Sequence, residues 1–323
     1  MLPHCSLENL HLNNTWVTIG SFDGVHIGHQ SIISQMVTAA HANQAQVVVI
    51  TFFPHPVEVL RGDQGPFYLT TPEERVKLLA NLGVDATITL IFDHTLSALS
   101  AEEFIAQITS QLDLHQLWVG PDFALGHNRR GTIPALQQLG LKYGYDVHIV
   151  PIVDSKDGKV SSRQIRSYLQ EGKVALAARL LGRPYSVLGK VVHGDGRGKG
   201  LGIPTANLEV WPKLILPSSG VYATWAYIEN QPLPAVTNIG VRPTFENQPV
   251  ATRVEAHLLD YDRALYGQAL RLEFVEMIRP EKRFPSIEAL VSQIQKDIEK
   301  TREVLDYDSK TPGLSARPAK TLP

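Results

Sequence analysis

Thr15-Trp16-Val17-Thr18-Ile19-Gly20-Ser21-Phe22-Asp23-Gly24-Val25-His26-Ile27-Gly28-His29 runs from β-branched residues through a glycine-bearing turn into a helical pattern. Thr15–Gly20 reads as a strand, and the residues after the turn open a helix. Such a turn lets backbone N–H groups approach a phosphate, and the helix N-terminus adds a fixed positive field. Gly20, Phe22, Gly24 and Gly28 are the candidate phosphate-cradling positions. His26 and His29 project from one side of the helix start, where they can donate hydrogen bonds to the α-phosphate of ATP as charge builds on it. Gly28 leaves room for a nucleotide ring close to the backbone. A zinc pair is the competing reading, but no cysteine or H-E-x-x-H partner accompanies the histidines and structural zinc takes four ligands. Strand, turn and helix start in that order favour phosphate chemistry over surface histidines.

Outward from this stretch, β-rich runs alternate with helical ones. Gln46–Thr51, Asp85–Ile91, Gln116–Val119 and Val147–Ile152 read as further strands. Thr71-Pro72-Glu73-Glu74 is a helix start with a capping threonine and proline at the first helical position, and Ser100 with Glu103 repeats the capping pattern. This alternation calls for a doubly wound parallel sheet with ligands outside the carboxyl ends of its strands. From Ser186 the period changes: Val221–Ile228, Thr252–Leu259 and Ala269–Ile278 alternate as strands without helices between them, which implies an antiparallel barrel or sandwich. Ile287, Leu290, Val291, Ile294 and Ile298 then form an apolar stripe behind Ser286, a closing C-terminal helix. Leu180–Pro184 is the natural boundary, giving domains 1–182 and 183–307, and the polar 308–323 tail is expected to be disordered.

The 323 residues suffice for two cores, with 43% hydrophobic and 19% charged residues. A net charge of −2 excludes a strong electrostatic pull on nucleic acid or anionic lipid. Cys5 is the single cysteine, which fits a reducing compartment, and no apolar run approaches a membrane span. A cytoplasmic protein with no membrane partner is expected; whether it forms a homo-oligomer stays open.

Two further constellations carry chemistry. Ser161-Ser162 and Arg166 open a helix after the fifth strand, where hydroxyls and a cation suit the β- and γ-phosphates of ATP; a merely capped helix is the plainer reading. His193-Gly194-Asp195-Gly196-Arg197-Gly198-Lys199-Gly200-Leu201-Gly202 alternates glycine with charge but contains neither a P-loop nor a dinucleotide fingerprint. Thr205 and Asn207 follow it with a hydroxyl and an amide oxygen, hard ligands suited to Mg²⁺ carrying ATP phosphates. Glu255 sits on the polar face of its strand, either as a base or as a solvated carboxylate paired with Arg253 or Arg271.

Taken in order, Gly20–Gln30, Phe53-Pro54-His55-Pro56, Val119–Phe123, Ser161–Arg166, Gly202–Asn207, Asn238–Phe245 and Val254–Asp260 resemble bacterial bifunctional riboflavin kinase/FMN adenylyltransferases. The resemblance implies a Rossmann-like α/β nucleotidyltransferase followed by a β-barrel riboflavin kinase domain. It further implies two ATP-consuming steps with Mg²⁺, riboflavin to FMN and FMN to FAD. By that likeness His26 and His29 stabilise the adenylyl transition state, Ser162 and Arg166 hold phosphates, and Phe53, Pro54, Pro56 and Asp122 lie by the flavin. Gly194, Gly202 and Thr205 then bind ATP in the kinase, Thr205 and Asn207 hold the metal, and Glu255 is the base. Arg163 stands where the family has a small hydroxyl residue, and Ala124-Leu125 where it has an aromatic before Gly126. The alternatives are a riboflavin kinase with a weakened adenylyltransferase half, and a flavin-binding regulator without turnover. A time course of riboflavin, FMN and FAD separates them.

Overall fold

The computed structural model describes residues 12–62, 65–151, 154–155, 158–194, 197–200, 202–241 and 252–306. The 308–323 tail and Arg242–Phe245 lie outside the described residues. The chain divides into two compact units, Met1–Ser162 and Arg163–Pro323.

The first unit begins β1 (Thr15–Ile19), α1 (Ile27–Ala42), β2 (Gln46–Phe53), a short α2 (Pro56–Arg61), α3 (Pro72–Asn81) and β3 (Ala86–Ile91). It continues through a short α4 (His94–Ala98), α5 (Ala101–Leu112), β4 (Leu114–Val119), the hairpin β5–β6 (Ala124–Leu125, Gly131–Thr132), α6 (Ile133–Tyr143), β7 (Asp146–Ile149) and the hairpin β8–β9 (Asp154–Ser155, Gly158–Lys159). Five strands form one sheet in the order β3-β2-β1-β4-β7, every pairing parallel. All five residues of β1 are buried, because both faces of a central parallel strand are covered. Val17, Ile19, Val48, Ile50, Leu117 and Val119 pack on one face with Phe104, Ile105, Ile108 and Leu112 of α5 and Leu136 of α6. Trp16, Val47, Val49 and Trp118 pack on the other with Ile33, Met36 and Ala40 of α1 and Leu79 of α3. The expected caps form: Thr71 accepts from the Glu74 N–H, and Ser100 with Glu103 closes a reciprocal capping box. Each such cap contributes about 1 kcal/mol. The strand order reverses between β1 and β4, so the crevice that a doubly wound sheet offers to ligands opens at Gly20 and Gly120.

Helix α7 (Ser162–Gln170) starts at the division between the units, and α8 (Val174–Leu181) follows. The sequence reading grouped both with the first domain. Contacts group them with the second unit: α8 packs on β10 (Tyr185–Val192) and β15 (Ala269–Pro280), and the Ser218 N–H donates to the Leu169 carbonyl. Then come a short α9 (Arg197–Gly200), β11 (Ala206–Val210), β12 (Gly220–Ile228), β13 (Gln231–Val241), β14 (Thr252–Leu258) and α10 (Ile287–Val304). The six strands close into an antiparallel barrel in the order β10-β11-β14-β13-β12-β15. Tyr222 and Phe274 meet edge to face inside it, and the Thr224 and Thr237 hydroxyls pair at 2.7 Å. Helix α10 has its Ser286 cap, but Ile287 of the expected stripe is exposed. Ile298 of the stripe packs against Val221, Val236 and Leu259, and Arg279 of β15 grips the buried Asp297 through Nε and Nη2 at 2.8–3.1 Å.

Candidate functional sites

A cavity of about 780 Å³ lies at the carboxyl ends of β1 and β4. Its wall includes Gly20, Phe22, His26, Gly28 and His29 at one end, and Phe52, Pro56, Leu96, Phe104 and Phe123 elsewhere. The turn before α1 is held open by its own hydrogen bonds. Fully buried, the Asp23 carboxylate accepts from the Leu69 and Thr70 N–H groups at 3.0–3.2 Å, and the Gly24 N–H donates to Thr70 Oγ1. Phe22 and Val25 adopt positive φ, 45° and 40°. Non-glycine residues hold that conformation only where the surroundings over-determine it, and such strain collects at functional sites.

His26 is the N-cap of α1, and its Nδ1 accepts from the His29 N–H at 3.3 Å, which places the neutral ring's proton on Nε2. The two imidazoles stack with centroids 3.6 Å apart, and the Phe22 ring meets His29 edge-on at 5.0 Å. A Cβ at Gly28 would stand 3.3 Å from the His26 ring, so the glycine makes room for that imidazole. Among the described residues the buried Nδ1 of His29 has no hydrogen-bond partner. Burial above all, then the nearby His26 and Arg75, drives the His29 pKa well below its ordinary 6.5. At neutral pH the pair is thus set to present N–H groups rather than an imidazolium from His29. A helix N-terminus with paired imidazole donors can stabilise charge growing on a phosphoryl group.

Of the other expected residues, Pro56 and Asp122 line the cavity. Phe53 and Pro54 do not: strand alternation turns Phe52 to the wall, and Phe53 packs toward Tyr68. His55 joins the wall and caps α2, its Nδ1 accepting from the Val57 N–H. Ser162 donates its hydroxyl to the Asp23 carbonyl at 2.9 Å, which ties the start of α7 to the histidine turn. Arg166 lies one turn further along α7 and is half-buried, while Arg163 is exposed.

In the barrel, register brings Asn207, Glu255 and Asn238 into one row across β11, β14 and β13. Val254, Ala256 and Leu258 point inward, so Glu255 faces outward as alternation demands. Arg253 stands 3.5 Å away with both side chains part-exposed, a pairing worth about 0–1 kcal/mol. The glycine-rich segment folds onto this row. A Cβ at Gly194 would lie 2.2 Å from Asn207 Nδ2, and one at Gly198 would lie 3.6 Å from Thr205 Oγ1. Gly202 supplies a φ of +75°. Thr205 and Asn207 offer hydroxyl and amide oxygens beside a carboxylate, a donor set that fits Mg²⁺. Among the described residues no three of His, Cys, Asp and Glu cluster as a metal site. The sequence reading missed Asn238 as a neighbour of Glu255, because only strand register reveals it.

Residues 8–164 match the family model for FAD synthetase, and residues 181–305 the model for riboflavin kinase. The bifunctional riboflavin kinase/FMN adenylyltransferase of Escherichia coli K12 is 37% identical over 289 residues, covering 89% of this chain and 91% of that one. The enzyme of the same name from Bacillus subtilis 168 is 37% identical over 284 residues, covering 87% and 89%. A crystal structure described as a macrolide-efflux protein from Streptococcus pneumoniae superposes with a TM-score of 0.84 at 31% identity, covering 92% of this chain and 96% of that one. Among the described residues no helix is long and apolar enough to cross a membrane.

Proposed function

The chain belongs to the family of bifunctional riboflavin kinases/FMN adenylyltransferases, and from that premise we propose which residues carry each step. The protein phosphorylates riboflavin to FMN with ATP, then adenylylates FMN to FAD with release of pyrophosphate. Adenylyl transfer belongs to the domain of residues 1–182 and phosphorylation to residues 183–307. In adenylyl transfer an FMN phosphate oxygen bonds to the α-phosphorus as the bond to the bridging oxygen breaks, and pyrophosphate leaves with the electron pair. The stacked His26–His29 pair at the start of α1 supports this reading: its N–H groups donate to the α-phosphoryl oxygens. Gly20, Phe22, Gly24 and Gly28 shape the triphosphate end, and Ser162 and Arg166 hold the departing phosphates. Pro56 and Asp122 border the flavin, with Phe53 and Pro54 shaping that loop from behind.

In the kinase, Glu255 takes the proton of the riboflavin 5′-hydroxyl as its oxygen bonds to the γ-phosphorus and ADP departs. The Asn207–Glu255–Asn238 row favours this over a solvated carboxylate. Thr205 and Asn207 would hold Mg²⁺, which neutralises phosphate charge when bound. Gly194 and Gly202 join Thr205 in binding ATP. Cytoplasmic placement fits the single Cys5.

The test is chromatography of riboflavin, FMN and FAD over time. Glu255→Gln is expected to cut FMN formation by roughly 10²- to 10⁴-fold while leaving FMN-to-FAD conversion intact. Equal loss of both reactions in folded protein would remove the assignment.

A further inference from the structure

We propose that Arg75 of α3 is a positioning residue for adenylyl transfer, fastening the turn that carries Phe22 and through it fixing the His29 ring. The inference rests on the role given above to the His26–His29 pair. Arg75 is 1% exposed and does not reach the cavity wall. From one nitrogen, Nη1, it donates to the Ser21 carbonyl at 2.8 Å, Thr51 Oγ1 at 2.9 Å and the Phe52 carbonyl at 3.1 Å. Thr51 in turn donates to the same Ser21 carbonyl at 3.0 Å. The guanidinium therefore cross-links the loop after β1 to the end of β2. Two of its contacts, Ser21 and Phe52, line the cavity, as does Phe22 next to Ser21, and Phe22 meets His29 edge-on at 5.0 Å.

A plain fold staple does not account for a cation here. Its buried Nε and Nη2 have no hydrogen-bond partner among the described residues, so the site bears a desolvation cost that an apolar side chain of like volume would avoid. Burial lowers the Arg75 pKa, opposed chiefly by Asp23, whose carboxylate holds the other side of the same turn. The arrangement spends folding stability on the geometry of the histidine turn, where a misplacement of about 1 Å costs on the order of 10²-fold in rate.

The experiment uses the full chain, with steady-state FMN adenylylation measured for wild type, Arg75→Met, Arg75→Lys, His29→Gln and the Arg75→Met/His29→Gln double variant. Riboflavin phosphorylation in the same preparations serves as the control. Arg75→Met is expected to lower kcat for adenylylation roughly 10- to 100-fold, with KM for FMN and ATP within about twofold. Arg75→Lys, which keeps the charge and one contact, recovers part of the loss. The double variant should turn over no more slowly than His29→Gln alone, because Arg75 acts through that ring. Wild-type kcat in Arg75→Met, or additive losses in the double variant, would overturn the inference. Should Arg75→Met not fold, Arg75→Lys decides: reduced kcat with unchanged KM supports the role, and wild-type kcat removes it. If His29→Gln itself runs at the wild-type rate, the reading of the histidine pair fails as well. A normal Arg75→Met beside a crippled His29→Gln sinks the Arg75 inference alone.

Discussion

His29 lies between a phenyl edge and a second imidazole, and among the described residues its buried Nδ1 has no hydrogen-bond partner, an arrangement costly to fold. An unmet buried donor or acceptor costs about 1–3 kcal/mol. Its pKa, depressed first by burial, has a consequence for stability. Below the ordinary 6.5 the unfolded chain binds a proton there that the folded chain refuses, so unfolding takes up protons and stability rises with pH. The contribution is whole above pH 6.5 and is lost progressively as pH falls below it. Melting temperature should therefore drop between pH 7.5 and pH 5.5, and His29→Gln should drop less; an equal acid loss in both would refute the depressed pKa. The pair itself was legible from spacing and position, since strand, glycine turn and helix start all show in sequence. Arg75 was not, because a cation inside a helical pattern reads as solvated until the fold buries it.

At the scale of elements, the sequence showed where strands and helices run but not what closes on what. Period-2 alternation identified β12, β14 and β15, yet barrel closure depends on pairing of β10 with β15, which no local pattern encodes. The apolar stripe of α10 was visible, whereas its ion pair to Arg279 joins residues on separate elements. The glycine-rich segment after β10 carries neither a P-loop nor a dinucleotide fingerprint, so its sequence alone names no role for its glycines. The structure gives Gly194 a specific reason: its backbone lies where any side chain would collide with the Asn207 amide. Because that amide is the free end of a side chain, Gly194→Ala should fold and swing Asn207 aside. Displacing such an orienting contact typically costs about 10- to 100-fold in metal affinity or activity. Riboflavin phosphorylation should then need more Mg²⁺ for half-maximal rate, with FMN adenylylation unchanged. A kinase with an unaltered Mg²⁺ requirement would mean that Asn207 does not serve the metal.

At the scale of the molecule, the change of hydrophobic period near Ser186 announced two architectures; the histidine turn and the Thr205, Asn207 and Glu255 set fall on separate units, while the Ser161–Arg166 motif straddles their division. The join was the part least legible: α7 and α8 look like the last helices of a β-α alternation, and only the packing of α8 on β10 and β15 and the bond from Ser218 to Leu169 of α7 group them with the later unit. The cavity with the histidine pair is walled by residues up to Val160, whereas Thr205, Asn207 and Glu255 belong to the barrel. If each unit holds a complete site, the intermediate FMN can leave one chain and be used by another. Glu255→Gln alone should make no FAD from riboflavin, and His29→Gln alone should stop at FMN. An equimolar mixture of the two should make FAD after a lag, during which free FMN accumulates. Trapping FMN with an excess of an FMN-binding apoprotein should lengthen that lag. Should the mixture yield no FAD while each chain keeps its remaining half-reaction, FMN made by one chain is not available to another. The two sites would then have to act within a single chain.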